Sequence, residues 1–134
     1  APPSMLGVAP ALTWKARILT VKDLPAGAPV GYDARYVTTR QARIAVIAAG
    51  YADGVMRQLS NRGAVLIGGR RAPIVGSISM DVTTVDVTEC PSARPGGEVT
   101  LLGEGLDAAE LGAAAGTISY DVLCKIQSRV ARRY

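Results

Sequence analysis

The sequence has 134 residues, of which 49% are hydrophobic and 19% charged, with a formal net charge of +4. A chain of this length and composition can bury a sizeable core, which argues against intrinsic disorder and favours a single domain. It contains no histidine, which excludes Ser-His-Asp and Cys-His catalysis within the chain and zinc sites with histidine ligands.

Short β-strands separated by glycine-rich turns are predicted for most of the chain. Alternating apolar residues predict a half-buried strand over 12–21, and a continuous apolar run predicts a fully buried strand over 42–49. Gly68 and Gly69 are typical of a tight hairpin. The other predicted strands cover residues 30–38, 64–67, 72–75, 82–87 and 98–102.

The apolar pattern becomes helical toward the end of the sequence. An alanine- and leucine-rich stretch that follows a capping aspartate predicts a helix over 107–115, and a spacing of four predicts a second over 119–129. The expected fold is therefore mainly β, a small closed or Greek-key β-barrel-like domain with one or two C-terminal helices.

The proline-rich start predicts a linker or the end of a preceding domain over residues 1–11, followed by one domain over 12–134. The start lacks the features of a signal peptide and an initiator methionine, so we expect a fragment or trimmed chain that begins within a longer protein. No apolar run approaches the ~20 residues of a membrane helix, so no membrane association is expected.

The two cysteines, Cys90 and Cys124, form no CxxC pair. Since a small secreted scaffold would carry more cysteines, we expect reduced, partly buried thiols in a cytosolic protein, with a single disulfide as the alternative. No metal site is predicted.

The basic excess lies in the last ten residues, a pattern typical of a solvated face or an interface. It leaves open a non-enzymatic alternative, a small β-barrel that binds nucleic acid through its basic C-terminal helix. The shortage of aromatic residues, with one tryptophan, five tyrosines and no phenylalanine, argues against a stacking platform for single strands.

Four segments place a tyrosine or a Met-Asp pair beside glycine or at a predicted helix start. They are residues 29–33, 50–54, 76–81 and 117–121. Glycine lets backbone approach a ligand closely, and a helix start can bind phosphate through its N–H groups. Each segment also has a structural alternative, such as a turn capped by Asp53 or a strand that ends in a capping Asp81. Composition and spacing alone do not name a reaction.

In their order along the chain, the motifs PVGYD, GYADG, GSISMD and TISYD resemble those of the C-terminal β domain of bacterial alanine racemase. The resemblance extends from about residue 12 to residue 134. It implies a cytoplasmic enzyme that interconverts L- and D-alanine for peptidoglycan precursors. It also implies an N-terminal (β/α)₈ barrel whose lysine holds pyridoxal 5′-phosphate as a Schiff base. The enzyme would be a homodimer in which each β domain covers the other subunit's barrel mouth.

The resemblance also assigns roles to single residues. Tyr32 matches the tyrosine that acts as the second catalytic base, on the L-alanine face. Met80, with Asp81 beside it, matches the residue whose backbone N–H meets the substrate carboxylate. Tyr120 matches the tyrosine whose hydroxyl contacts the cofactor phosphate. The residues that match the substrate entryway are Tyr51, Arg57 and Ile118.

Two positions depart from the family pattern. Ser77 stands where the family usually has arginine, which removes a cation from the entryway. Asp33 follows Tyr32, and a carboxylate facing that tyrosine would disfavour its ionised form. No lysine of this chain lies in a matching motif, so the isolated chain is expected to be inactive. Two further alternatives are a related amino-acid racemase with a wider substrate range and a dimerisation domain without catalysis.

Overall fold

The computed structural model describes residues 13–30, 36–55, 57–103, 106 and 113. The described part contains two 3₁₀ turns, Tyr51–Asp53 and Arg57–Leu59. Its strands are β1 (Trp14–Leu24), β2 (Pro29–Val30), β3 (Tyr36–Val37), β4 (Ala42–Ile47), β5 (Ala64–Ile67), β6 (Arg70–Pro73), β7 (Thr83–Asp86) and β8 (Glu98–Leu102).

Six of these strands form one antiparallel sheet in the order β6-β5-β8-β1-β4-β7. Its outermost strands approach each other through a bridge between Ile74 and Val85 and a 2.9 Å bond from the Val75 N–H to the Thr84 carbonyl. The sheet is therefore a nearly closed barrel, an arrangement that leaves little unpaired strand edge. The predicted mainly β, barrel-like fold is confirmed.

The long strand β1 holds the barrel together because it pairs with β8 along its first half and with β4 along its second. A register shift between Ile18 and Thr20 marks the change of partner, and such bulges bend a strand. The strand continues to Leu24, three residues beyond its predicted end. It does so because Asp23 and Leu24 still pair with Arg43 and Ala42.

The predicted hairpin at Gly68 and Gly69 is also confirmed. Their φ angles of 57° and 78° are both positive, which suits a two-residue hairpin turn, and glycine adopts such angles without strain. The turn is so tight that Ile67 pairs directly with Arg70, and β6 begins two residues before its predicted start. The two helices predicted over 107–115 and 119–129 lie outside the described residues, apart from Ala113, which is helical.

Strand β4 is buried on both faces, which explains its continuous apolar sequence. Ala45 and Ile47 point into the barrel core, whereas Ala42 and Ile44 pack outside it against Val30 of the small β2–β3 sheet. The barrel core is aliphatic, and its most deeply buried members include Ile18, Ile47, Ile78, Val65, Val85 and Val99. The predicted strand is thus confirmed over 42–47, with buried residues on both faces. It is not fully buried, because Arg43 and Val46 are half-buried, and it ends two residues before its predicted end, where Ala48 is exposed.

Replacing Thr83 with valine is expected to destabilise the chain by about 1–3 kcal/mol. Thr83 is fully buried, and its hydroxyl donates a 2.7 Å hydrogen bond to the carbonyl of Ala49. Valine preserves the shape but removes that donor. Urea unfolding of the two proteins measures the loss. The neighbouring half-buried Thr84, replaced in the same way, is the control, and equal losses at both positions would contradict the role of the buried bond.

Candidate functional site

Two of the motif-bearing segments lie against each other in the structure. We call residues 50–54, which follow β4, the tyrosine loop, and residues 79–82, which precede β7, the methionine loop. The Tyr51 N–H donates to the Ser79 carbonyl at 2.9 Å, and the Ala52 N–H donates to the Met80 carbonyl at 3.0 Å. The fold thus joins two predicted segments that are nearly thirty residues apart in the sequence.

The tyrosine loop is a tight turn capped by its own aspartate. The Gly50 N–H donates to Asp53 Oδ2 at 3.0 Å, and the Gly54 N–H closes the turn on the Tyr51 carbonyl at 3.2 Å. Gly54 has a φ of 113°, where a side chain would be strained. The structural alternative considered from the sequence, a turn capped by Asp53, is therefore present, and the same turn presents its N–H groups to the methionine loop.

The methionine loop is closed by the side chain of Ser79. Its hydroxyl donates to the Val82 carbonyl at 3.1 Å and lies 3.2 Å from the Val82 N–H, from which it accepts. The Ser79 N–H also donates to the Val82 carbonyl. Met80 and Asp81 consequently occupy the tip of the loop, and Met80 is 53% exposed.

The contact between the loops fixes the direction of two backbone donors. A trans peptide points its C=O and N–H in opposite directions, and the described peptides are trans. Since the Ser79 and Met80 carbonyls point toward the tyrosine loop, the N–H groups of Met80 and Asp81 point away from it. Successive N–H groups on one side of a turn form an anion-binding concavity. The loop tip can therefore bind a carboxylate.

Tyr51, whose N–H binds the methionine loop, has the side chain of Arg57 against its ring. The guanidinium carbon of Arg57 lies 5.2 Å from the centre of the Tyr51 ring, a cation–π contact that restricts the tyrosine. Tyr51 is 37% exposed, so its ring is accessible from solvent. The structure thus brings together two of the predicted entryway residues next to the predicted carboxylate-binding loop.

The start of another predicted segment, residues 29–33, lies close to the beginning of the segment 76–81. Gly76 packs so near Val30, the last residue of β2, that a Cβ at Gly76 would lie 3.2 Å from the Val30 carbonyl oxygen.

Three predicted site residues lie outside the described residues: Tyr32, Ile118 and Tyr120.

Two residues that the sequence analysis did not single out brace the segment before the methionine loop. Ser60 Oγ accepts the Ile78 N–H at 2.9 Å, and Asn61 Oδ1 accepts the Gly76 N–H at 2.6 Å. Asn61 has a φ of 59°, which asparagine tolerates better than most residues. An asparagine two residues before a glycine was a usable turn signal, but nothing local indicated its long-range partner.

Neither described lysine lies at the two loops. Lys15, on β1, binds Glu98 on β8 at 2.8 Å, and this hydrogen bond and the lysine charge hold the pKa of Glu98 below its usual value. Lys22, also on β1, lines an open groove with Leu24 and Ile44. Cys90 is a buried free thiol whose pKa is raised by burial. These side chains add no chemistry to the loops.

Searches restricted to the described residues add two observations. No group of three or more His, Cys, Asp or Glu side chains is placed to hold a metal ion there. No helix in that part of the chain is long and apolar enough to cross a membrane.

Comparisons with known proteins agree on one family. The family model described as alanine racemase, C-terminal domain, matches residues 11–134. An alanine racemase of Halothermothrix orenii is 46% identical in an alignment 129 positions long, which covers 93% of this chain and 34% of that protein. The chain therefore spans about a third of the length of the curated relatives it matches.

Solved structures show the same similarity. The crystal structure of biosynthetic alanine racemase from Pseudomonas aeruginosa matches with a TM-score of 0.92 at 41% identity, over 98% of this chain and 37% of that one. Alanine racemase from Bartonella henselae, solved with covalently bound pyridoxal phosphate, matches with a TM-score of 0.86 at 37% identity, over 90% of this chain and 34% of that one.

Proposed function

The chain belongs to the alanine racemase C-terminal domain family, and from this premise we propose that it is the C-terminal part of a pyridoxal-phosphate-dependent enzyme that interconverts L- and D-alanine. The observation that carries the proposal is the backbone N–H of Met80, which the contact with the tyrosine loop directs away from that loop, with Asp81 beside it. An amino acid offers a carboxylate, and backbone donors bind a carboxylate strongly.

Racemisation removes a proton from one face of the α-carbon and returns one to the other face. Pyridoxal 5′-phosphate, when bound, supplies the electron sink that makes this proton acidic. Met80 and Asp81 hold the substrate carboxylate, so the α-carbon is presented in a fixed orientation. The Tyr32 hydroxyl would exchange the proton on the L-alanine face as a general acid and base, and the Schiff-base lysine assigned to the barrel domain would exchange the proton on the opposite face.

A free tyrosine has a pKa of about 10, so Tyr32 needs a nearby cation or strong donor to act near neutral pH. Its sequence neighbours are Gly31 and Asp33, and neither carries a positive charge. We assign that cation to the barrel domain. Tyr32 would therefore act as an acid and base only when this domain is in contact with the barrel domain.

The cofactor is likewise assigned to both domains. The Schiff-base lysine is proposed to lie on an N-terminal (β/α)₈ barrel, as the family resemblance implies. The described lysines, Lys15 and Lys22, both lie on β1. Tyr120 would contact the cofactor phosphate through its hydroxyl. The substrate entryway would be lined by Tyr51, Arg57 and Ile118, and the guanidinium of Arg57 lies over the Tyr51 ring.

The proposed enzyme is a homodimer in the bacterial cytoplasm, with residues 1–11 as the connection from the barrel and 12–134 as this domain. Each domain would cover the barrel mouth of the other subunit, since active sites of such barrels lie at one end of the barrel. D-Alanine made there would enter peptidoglycan precursors.

The experiment joins this chain to the barrel domain of the Pseudomonas aeruginosa relative and assays racemisation of L-alanine. We expect the joined protein to racemise alanine. The 134-residue chain alone should not, and adding pyridoxal phosphate to it should produce no new visible absorbance band. The relative's own C-terminal domain, rejoined at the same position, is the control for folding. A folded but inactive joined protein, or an active isolated chain, would contradict the proposal.

A further inference from the structure

We infer that Gly50 and Ser79 are positioning residues, which aim the Met80 N–H at the substrate carboxylate without touching the substrate. The inference rests on the proposed function, because it concerns the same carboxylate. Neither residue carries a reactive group into the site. Each controls the position of the methionine loop by a different contact, so each can be tested separately.

Gly50 is needed because there is no room for a side chain, and not because its backbone conformation requires glycine. Its φ of −139° and ψ of −164° are ordinary extended values that any residue adopts. A Cβ at this position, however, would lie 2.4 Å from the carbonyl oxygens of both Ser79 and Met80. Real Cβ contacts are essentially never this short, and both neighbours are backbone atoms that cannot rotate away. Any side chain at Gly50 must therefore push the two loops apart.

A side chain at Gly50 would mainly displace the tip of the methionine loop. The preceding residues are held by separate contacts, because Ser60 accepts the Ile78 N–H and Asn61 accepts the Gly76 N–H. The peptides that face Gly50 are those that carry the Met80 and Asp81 N–H groups. Since a misplacement of about 1 Å at a reacting group can cost a hundredfold in rate, a small shift here is sufficient to weaken binding.

Ser79 acts by closing the methionine loop on itself. Its hydroxyl both donates to the carbonyl of Val82 and accepts from its N–H, at 3.1 and 3.2 Å. Without the hydroxyl, one direct backbone bond from the Ser79 N–H to the Val82 carbonyl would remain. The loop would keep its fold but lose the restraint on its tip.

The first test is Gly50→Ala in the racemase that contains this domain. We expect KM for both L- and D-alanine to rise at least about tenfold, with a smaller fall in kcat. Acetate, a carboxylate without an amino group, should inhibit the variant competitively with a similarly weakened inhibition constant. The acetate measurement reports carboxylate binding without depending on turnover.

The matched control is Gly63→Ala. A Cβ at Gly63 would also be crowded, at 2.9 Å from Leu59 Cδ2, but the atoms it meets are core side chains rather than the loop carbonyls. This variant should lose stability and keep the KM and acetate inhibition of the parent. If both variants raise KM equally, the effect of Gly50 is general destabilisation and the inference is overturned.

The second test uses Ser79 and keeps the inference testable even if the Gly50→Ala protein does not fold. Ser79→Ala should fold and raise KM about threefold or more, because it removes both hydrogen bonds of the hydroxyl. Ser79→Thr restores a hydroxyl and should return KM toward the parent value. An unchanged KM in Ser79→Ala, or no rescue by threonine, would refute positioning by Ser79. If the parent enzyme does not racemise alanine at all, the proposed function fails instead.

Discussion

Replacing Tyr32 with phenylalanine in the racemase that contains this domain is expected to lower L-alanine racemisation by about 10²–10⁴-fold. Phenylalanine fills the same space but has no hydroxyl to exchange a proton. The cofactor should remain bound, because its covalent attachment is assigned to the barrel. Racemisation assays in both directions, together with the absorbance of the bound cofactor, measure the two effects separately.

Tyr36→Phe is the matched control for this prediction. Tyr36 lies four residues further along, on β3, where it is half-buried and packs against the cluster of Val30 and Ile44. Its replacement removes a tyrosine hydroxyl at a position with no proposed catalytic role, so turnover should stay close to the parent value. Unchanged rates in both directions for Tyr32→Phe would remove Tyr32 from the mechanism.

The fold was predictable wherever one residue pattern determined one element. The apolar run of β4 indicated burial on both faces, and two adjacent glycines indicated the turn between β5 and β6. Strand ends were less predictable because pairing partners set them. The end of β1 at Leu24 depends on Ala42, which is eighteen residues away.

The candidate site was predictable only in part, for a similar reason. The motif resemblance identified Tyr51 and Met80, and the structure places their loops in contact. The sequence did not reveal the importance of Gly50, because its glycine is needed for a carbonyl contact with a distant loop and not for a turn. Nor did any local pattern indicate that the Ser79 hydroxyl closes the methionine loop. Both roles arise from tertiary contacts.

Restored activity in a mixed dimer is the other large effect that we expect. One subunit would carry Tyr32→Phe, and the other would have alanine in place of the barrel's Schiff-base lysine. Each variant alone should be almost inactive. If the barrel of one subunit uses Tyr32 of the other, the mixed dimer contains one complete site, because the intact lysine of the first subunit meets the intact tyrosine of the second.

The measurement is the racemase activity of that mixed dimer, purified through two different affinity tags after co-expression. If this domain completes the partner subunit's active site, as proposed, the mixed dimer should be far more active than either homodimer. A mixed dimer that is folded and carries cofactor, yet is as inactive as the two parents, would contradict the claim, because a site built within one subunit is complete in neither chain.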